Sequence, residues 1–153
     1  MNALNSSFEP RNPEYAARVR DSFNAQTVMQ TITASLTEIG PGRVVIELPY
    51  RKDLTQQHGF IHAGISSTIM DSACGYAAFS LMPETAEVLT VEFKTNLLAP
   101  ASGDLFRAVG EVRKSGKQIF VAESSLYAIK GSDEKLVATM NGTLMAVYPE
   151  RVG

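Results

Sequence analysis

Apolar positions change their period several times along this chain, and each change marks an element. Between Pro13 and Phe23 the residues Tyr15, Ala16, Val19 and Phe23 recur at helical spacing behind a proline suited to a first turn, which predicts a short amphipathic helix. Val28 to Ile39 alternates loosely (Val28, Gln30, Ile32, Ala34, Leu36) and is rich in threonine, which reads as a strand. Gly40-Pro41-Gly42 is a turn signal. Arg43 to Tyr50 alternates again, with Val44, Ile46 and Leu48 opposite Val45, Glu47 and Pro49, so the two strands read as a hairpin. A polar loop over 51–62 leads to a helix from about Ala63 to Leu81, apolar on nearly every side, with Asp71 as its one ionised side chain and Pro83 at its end. Four more strands are predicted at about 87–97, 104–114, 118–130 and 135–148.

The connections between these last strands are short, namely Pro100-Ala101-Ser102-Gly103, Ser115-Gly116-Lys117 and Gly131-Ser132-Asp133-Glu134, which implies an antiparallel meander. The order is thus helix, two strands, one buried helix, four strands. A lone apolar helix needs apolar surface around it, and a curved antiparallel sheet supplies that surface, giving an α+β fold in which the sheet wraps one long central helix. One helix covers neither every sheet edge nor both faces, so self-association is expected. Nothing divides residues 1–153, which read as a single domain with its core at about 23–148 and a poorly ordered segment at 1–12.

Composition narrows the function classes. Hydrophobic residues make up 44% and charged residues 20%, an ordinary globular balance. A net charge of −2 argues against nucleic-acid binding. One cysteine, Cys74, excludes an internal disulfide and a cysteine-based zinc site, and with two histidines, His58 and His62, no metal centre is expected. No basic leader precedes an apolar run at the N-terminus, and no apolar run approaches the length of a membrane span, so a cytoplasmic protein with no membrane association is expected.

Two features carry candidate chemistry. Asp71 is a poor residue for a helix interior, and its neighbours at helical spacing, Ser67, Thr68, Cys74 and Gly75, are small. It reads either as a capped or paired structural carboxylate, or as a general base or nucleophile whose pKa is raised by partial burial, with room beside it for a substrate. His62-Ala63-Gly64 reads either as a plain loop-to-helix turn or as a helix N-terminus whose Ala63 and Gly64 N–H groups receive a developing oxyanion, with His62 orienting the turn or holding substrate. Ala63 and Asp71 are eight residues apart. That is about 12 Å along a helix, too far for one carbonyl to touch both groups of one chain. If both act on one carbonyl, the site is shared across a dimer.

Lesser candidates surround these. Gln56 and Gln57 precede the turn, either as solvated surface or as hydrogen-bonding groups for substrate or water. His58 reads as loop structure. Thr90 is a strand threonine that could present its hydroxyl to the site. Arg113, Lys114 and Lys117 form either a solvated turn or a phosphate-contacting patch. Cys74 reads as a small buried hydrophobe.

The run His58-Gly59-Phe60-Ile61-His62-Ala63-Gly64 followed by Ile69-Met70-Asp71-Ser72-Ala73 resembles the HGxxHGGxxxxLxDxA signature of hotdog-fold acyl-CoA thioesterases, and is most similar to the phenylacetate-pathway (PaaI-type) group. Val88 to Lys94 with Asn96 to Ala101 resembles that group's TVxxxxxFLxPA segment, and Arg113 to Lys117 its basic turn. The resemblance runs from about Phe23 to Tyr148 and implies the hotdog fold, dimeric and often a dimer of dimers. It implies hydrolysis of an acyl-CoA without a cofactor, CoA being part of the substrate; the helix residues Met70, Ala73, Ala77, Phe79 and Met82, which read first as core, are compatible with an aryl- or medium-chain acyl group. Position by position it implies Asp71 as the catalytic carboxylate, the Ala63 N–H as the carbonyl-polarising donor, Gln56 as an amide that places substrate or water, Thr90 as a hydroxyl near the water and His62 as the signature histidine. Gly64, Arg113, Lys114 and Lys117 are the candidate CoA contacts. Ala63 stands where the family usually has glycine; a positive φ there would strain the turn, and a negative one would leave its methyl to narrow the acyl pocket. A non-catalytic acyl-CoA-binding or regulatory hotdog protein is the alternative, and a hotdog dehydratase a weaker one.

Overall fold

The computed structural model describes residues 8–149. Two helices, α1 (Tyr15–Ala25) and α2 (Thr27–Ile32), lead into strands β1 (Ser35–Gly40) and β2 (Arg43–Pro49), a 3-10 turn at Lys52–Leu54, the long helix α3 (Ala63–Phe79), and strands β3 (Glu87–Leu97), β4 (Leu105–Ser115), β5 (Ile119–Lys130) and β6 (Asp133–Val147). The strands form one antiparallel sheet in the order β1-β2-β4-β5-β6-β3. The sheet with α3 packed on it and a short helix at its N-terminal side is the hotdog arrangement the resemblance implies. Among the described residues no helix is long and apolar enough to cross a membrane.

One predicted element is corrected. The strand expected over Val28–Ile39 is half helix: α2 takes Thr27–Ile32, and Thr33, at φ 61, breaks the chain before β1 begins at Ser35. The apolar positions that decide this are Met29 and Ile32, both buried and three apart, while Val28 is left exposed. The apparent period of two in Val28, Gln30 and Ile32 was a coincidence of one helical turn entering a strand. Residues 8–12, expected within a poorly ordered segment, pack on the domain; Arg11 donates to the Gly116 carbonyl at 2.8 Å and buried Asn12 accepts from the Glu14 N–H at 2.9 Å. Residues 1–7 lie outside the described residues.

Small residues let α3 reach the sheet. The inward positions of β4, β5 and β6 include Ala108, Gly110, Ala122, Ser124 and Gly142, flanked by Phe106, Phe120, Leu126, Met140 and Leu144. A Cβ on Gly110 would lie 2.3 Å from the Ala73 carbonyl carbon and oxygen, so helix backbone rests directly on strand backbone there. From Ser72 to Phe79 every residue of α3 is buried, and Met70, Ala73, Ala77, Phe79 and Met82 are core. The N-terminal half of α3 differs: Gly64 is exposed and Ser67, Thr68 and Asp71 are half-buried, a stripe of small and polar residues open to one side. Arg18 of α1 ties off the far end of α3, stacking over the Phe79 ring at 4.0 Å and donating to the carbonyls of Pro83, at 2.8 Å, and Ala86.

Candidate active site

The first group of candidates gathers at the start of α3. His62, at φ −60 and ψ 138, caps the helix: its Nδ1 accepts the Gly64 N–H at 2.8 Å. A Cβ on Gly64 would stand 3.0 Å from that nitrogen, which accounts for the glycine. His62 therefore orients the turn, and its Nδ1 is the unprotonated nitrogen. The Ile65 and Ser66 N–H groups both reach the His62 carbonyl at 3.0 Å. With Gly64 committed to the cap, the expectation that Ala63 and Gly64 both donate to a ligand is corrected. The Ala63 N–H alone is left without a hydrogen bond among the described residues, at the positive end of a helix of 17 residues. Ala63 does not have a positive φ, so the turn is unstrained and the methyl is simply present.

Gln56 stands beside it. Its backbone N–H bonds the Phe60 carbonyl at 2.9 Å, and its side-chain oxygen accepts from the His58 N–H. The amide NH2 is then the end left to donate. Gln56 and Ala63 share a cavity of about 450 Å³ with Phe60, Ser66, Leu97 and Pro100. Part of that apolar wall, Leu97 to Ala101, comes from the end of β3 and the segment after it, which the sequence matched as a motif without a place at the site.

The second group forms around Asp71. Thr90 of β3 donates its hydroxyl to Asp71 Oδ1 at 2.9 Å. A β-bulge between Thr90 and Glu92 breaks the β3–β6 register next to this contact. Burial pushes the Asp71 carboxyl above the usual carboxylate range, and the Thr90 hydrogen bond pulls part of the way back. Asp71 and Thr90 line a smaller cavity of about 180 Å³ with Ser22, Gln26, Ser72 and Tyr76. Gln26 accepts from Ser72 at 3.3 Å; it sits in the corner between α1 and α2, in the stretch between Phe23 and Val28 to which the sequence pattern gives no element. The nearby Cys74 thiol is pushed up to about 12, first by burial and then by the Asp71 and Glu123 charges, and is inert packing.

The two groups do not meet within one chain: Gln56 and Ala63 border one cavity, Asp71 and Thr90 another. The basic turn is also divided. Arg113 is paired at the surface with Glu123 at 2.7 Å and Glu111 at 3.5 Å, which leaves it less free than its lysine neighbours to contact a phosphate. Lys114 and Lys117 are exposed beside Ser115, which the strand register aligns through Phe120 and Leu144 with Thr90. Four strands in such a row place the lysines roughly 14 Å from the Asp71 half-site. Among the described residues no group of three or more His, Cys, Asp or Glu side chains is placed to hold a metal ion.

A family profile described as the thioesterase superfamily matches residues 58–135, just over half of the chain. A solved thioesterase family protein from Silicibacter pomeroyi is 55% identical, with a TM-score of 0.86 over 88% of this chain and 98% of that one. The PaaI protein from the Escherichia coli phenylacetic acid degradation operon superposes with a TM-score of 0.79 over 90% of this chain and 96% of that one; at 18% identity this is a likeness of fold. A 1,4-dihydroxy-2-naphthoyl-CoA hydrolase of Listeria monocytogenes is 24% identical over 107 residues, 70% of this chain and 83% of that one.

Proposed function

The chain is a hotdog-fold member of the thioesterase superfamily and a thioester hydrolase, and from that premise we propose that it cleaves an aryl- or medium-chain acyl-CoA to the free acid and CoA at a site shared by two subunits. The observation behind this reading is the half-buried, Thr90-bound Asp71 on the same helix as an unpaired Ala63 N–H, the two bordering separate cavities. The acyl group enters the apolar cavity of about 450 Å³, where its thioester oxygen meets the Ala63 N–H and the Gln56 amide. Asp71 of the partner subunit, its Oδ1 held by threonine, takes a proton from water through its other oxygen as the water oxygen bonds to the carbonyl carbon. Negative charge forms at the helix N-terminus, where it is stabilised. Collapse breaks the carbon–sulfur bond, and the proton follows the leaving CoA thiolate.

A CoA thioester is supported by the relative named as a naphthoyl-CoA hydrolase and by the sequence signature around Asp71. Lys114 and Lys117 remain candidates for the CoA phosphates, and CoA, entering as part of the substrate, is the one cofactor-like group the reaction involves. The dimer is supported by β3, an edge strand with Leu89 54%, Val91 55% and Phe93 44% exposed, which a second β3 would cover. A further pairing of dimers is part of the same proposal.

The test is a panel of aryl- and medium-chain acyl-CoAs with wild type, D71N and A63P. Proline is tolerated at the first position of a helix, and His62 already holds the extended conformation that precedes proline, so A63P deletes the N–H donor and leaves the helix intact. D71N is expected to lower kcat about a thousandfold and A63P about a hundredfold or more. Tight binding of acyl-CoA with no turnover by the wild type would instead identify a binding protein.

A further inference from the structure

Hydroxyl side chains of α3 have partners, with one exception that faces the apolar cavity. Ser67 shares a hydrogen bond with Thr95 at 3.2 Å, Thr68 ties back to the Gly64 carbonyl at 2.8 Å and Ser72 reaches Gln26 at 3.3 Å. Just past the helix, Ser80 bonds the Ala77 carbonyl at 2.7 Å. Ser66 is 2% exposed and lines the cavity of about 450 Å³, and its hydroxyl, open to that cavity, makes no side-chain hydrogen bond among the described residues. Its neighbours on that wall, Phe60, Leu97, Leu126 and Val137, offer no polar side chain. The Ser66 hydroxyl opens on the cavity, and an occupant that fills the cavity strips it of water, so an occupant that supplies a partner gains more than one that does not. Ser124 carries the one fully buried side-chain oxygen without a hydrogen-bond partner among the described residues, and it lines neither described cavity of the site, so no occupant there meets it.

The position of Ser66 sets where on the occupant the partner belongs. Ser66 follows Ala63 by three residues, the next turn on the same face of the helix. The rise between them is on the order of 4.5 Å, so a group bonded to the Ser66 hydroxyl lies about two carbons beyond a thioester oxygen held by the Ala63 N–H. We propose that Ser66 is a specificity-determining residue that recognises a hydroxyl on the β carbon of the acyl group, and that β-hydroxylated acyl thioesters are the substrate class this pocket favours. The inference rests on the thioesterase reading of the site. The serine donates to, or accepts from, the substrate hydroxyl; the remainder of the acyl group contacts apolar wall.

The test uses matched CoA thioesters that differ by one hydroxyl, both hands supplied: β-hydroxyoctanoyl-CoA with octanoyl-CoA, and β-hydroxy-β-phenylpropionyl-CoA with β-phenylpropionyl-CoA. The wild type is expected to favour the hydroxylated member of a pair by roughly tenfold in kcat/KM. S66A brings that ratio to about one, and S66T, which keeps the hydroxyl, restores it. S66C, close in size with only a weak donor, supplies the same readout should S66A fail to fold. A wild-type ratio of one or less overturns the assignment, as does a preference that S66A leaves intact. Hydrolysis of none of the four thioesters, nor of any in the wider panel, removes the thioesterase reading itself. That outcome is distinct, because turnover is lost where the other results lose only discrimination.

Discussion

Thr90 and Asp71 are coupled through one proton position. Burial raises the Asp71 pKa and the Thr90 hydroxyl, by stabilising the carboxylate, lowers it. A base must be ionised to act, so the acid limb of the kcat–pH profile is set by this raised value and lies above that of an ordinary aspartate. T90V removes the lowering influence; the limb is expected to move to higher pH, with kcat/KM at neutral pH falling roughly tenfold. A profile unmoved by T90V would place Asp71 outside the rate-determining proton transfer. The same group has a stability signature. Its folded pKa exceeds its unfolded one, so its contribution is most favourable below the unfolded pKa and is lost as pH rises through the folded value. At neutral pH the ionised Asp71 is therefore a cost to the fold. D71N, which keeps an oxygen for Thr90, is expected to gain on the order of 1 kcal/mol there while losing activity. Thermal unfolding of the two proteins at pH 7 and pH 4 checks the sign: the gain should shrink at the lower pH.

At the scale of elements, the seating of α3 on β4 positions both half-sites. Ala73, which touches Gly110, lies two residues from Asp71, and the same helix begins at the Ala63 donor. The contact is between backbones, so no side-chain rotamer can relieve an added methyl. G110A is expected to cost about 3 kcal/mol or more, or to prevent folding, measured by urea unfolding. An addition at Gly75, whose Cβ would meet nothing within 4 Å, is the matched control and should be nearly neutral in stability. If G110A and G75A behaved alike, the close approach of helix and sheet would be wrong.

For the whole molecule, the question is how two half-sites on one helix become one site. Mixing inactive D71N and A63P subunits answers it. In a mixed dimer one site would combine an intact Ala63 N–H with an intact Asp71, and an equal mixture should recover roughly a quarter of wild-type activity. A mixture that stays inactive after subunit exchange, with mixed dimers verified by mass, would contradict a shared site. The exposed Leu89, Val91 and Phe93 on edge strand β3 and the small-residue stripe of Gly64, Ser67, Thr68 and Asp71 are adjoining surfaces that a second copy would cover together.

Much of this was legible in the residues themselves. Alternation in β2, β4, β5 and β6, the apolar run of α3 and the glycine turns placed these five elements, because local periodicity reflects which face is buried. The His62-Ala63-Gly64 turn and the lone carboxylate at Asp71 marked the proposed site, because both are chemically out of place in an ordinary helix. Helical rise alone separated them into two half-sites. Tertiary structure decided what has no local signal. It turned Thr27–Ile32 into a helix, since Met29 and Ile32 find the core only in that form. It assigned the Gly64 N–H to His62 and Arg113 to Glu123, since hydrogen bonds depend on distance in space and not along the chain. It brought Thr90 to Asp71, opened a cavity between α3 and the segment after β3, and left the Ser66 hydroxyl facing that cavity without a partner. The sequence names the groups capable of chemistry; only packing determines which of them remain free to use it.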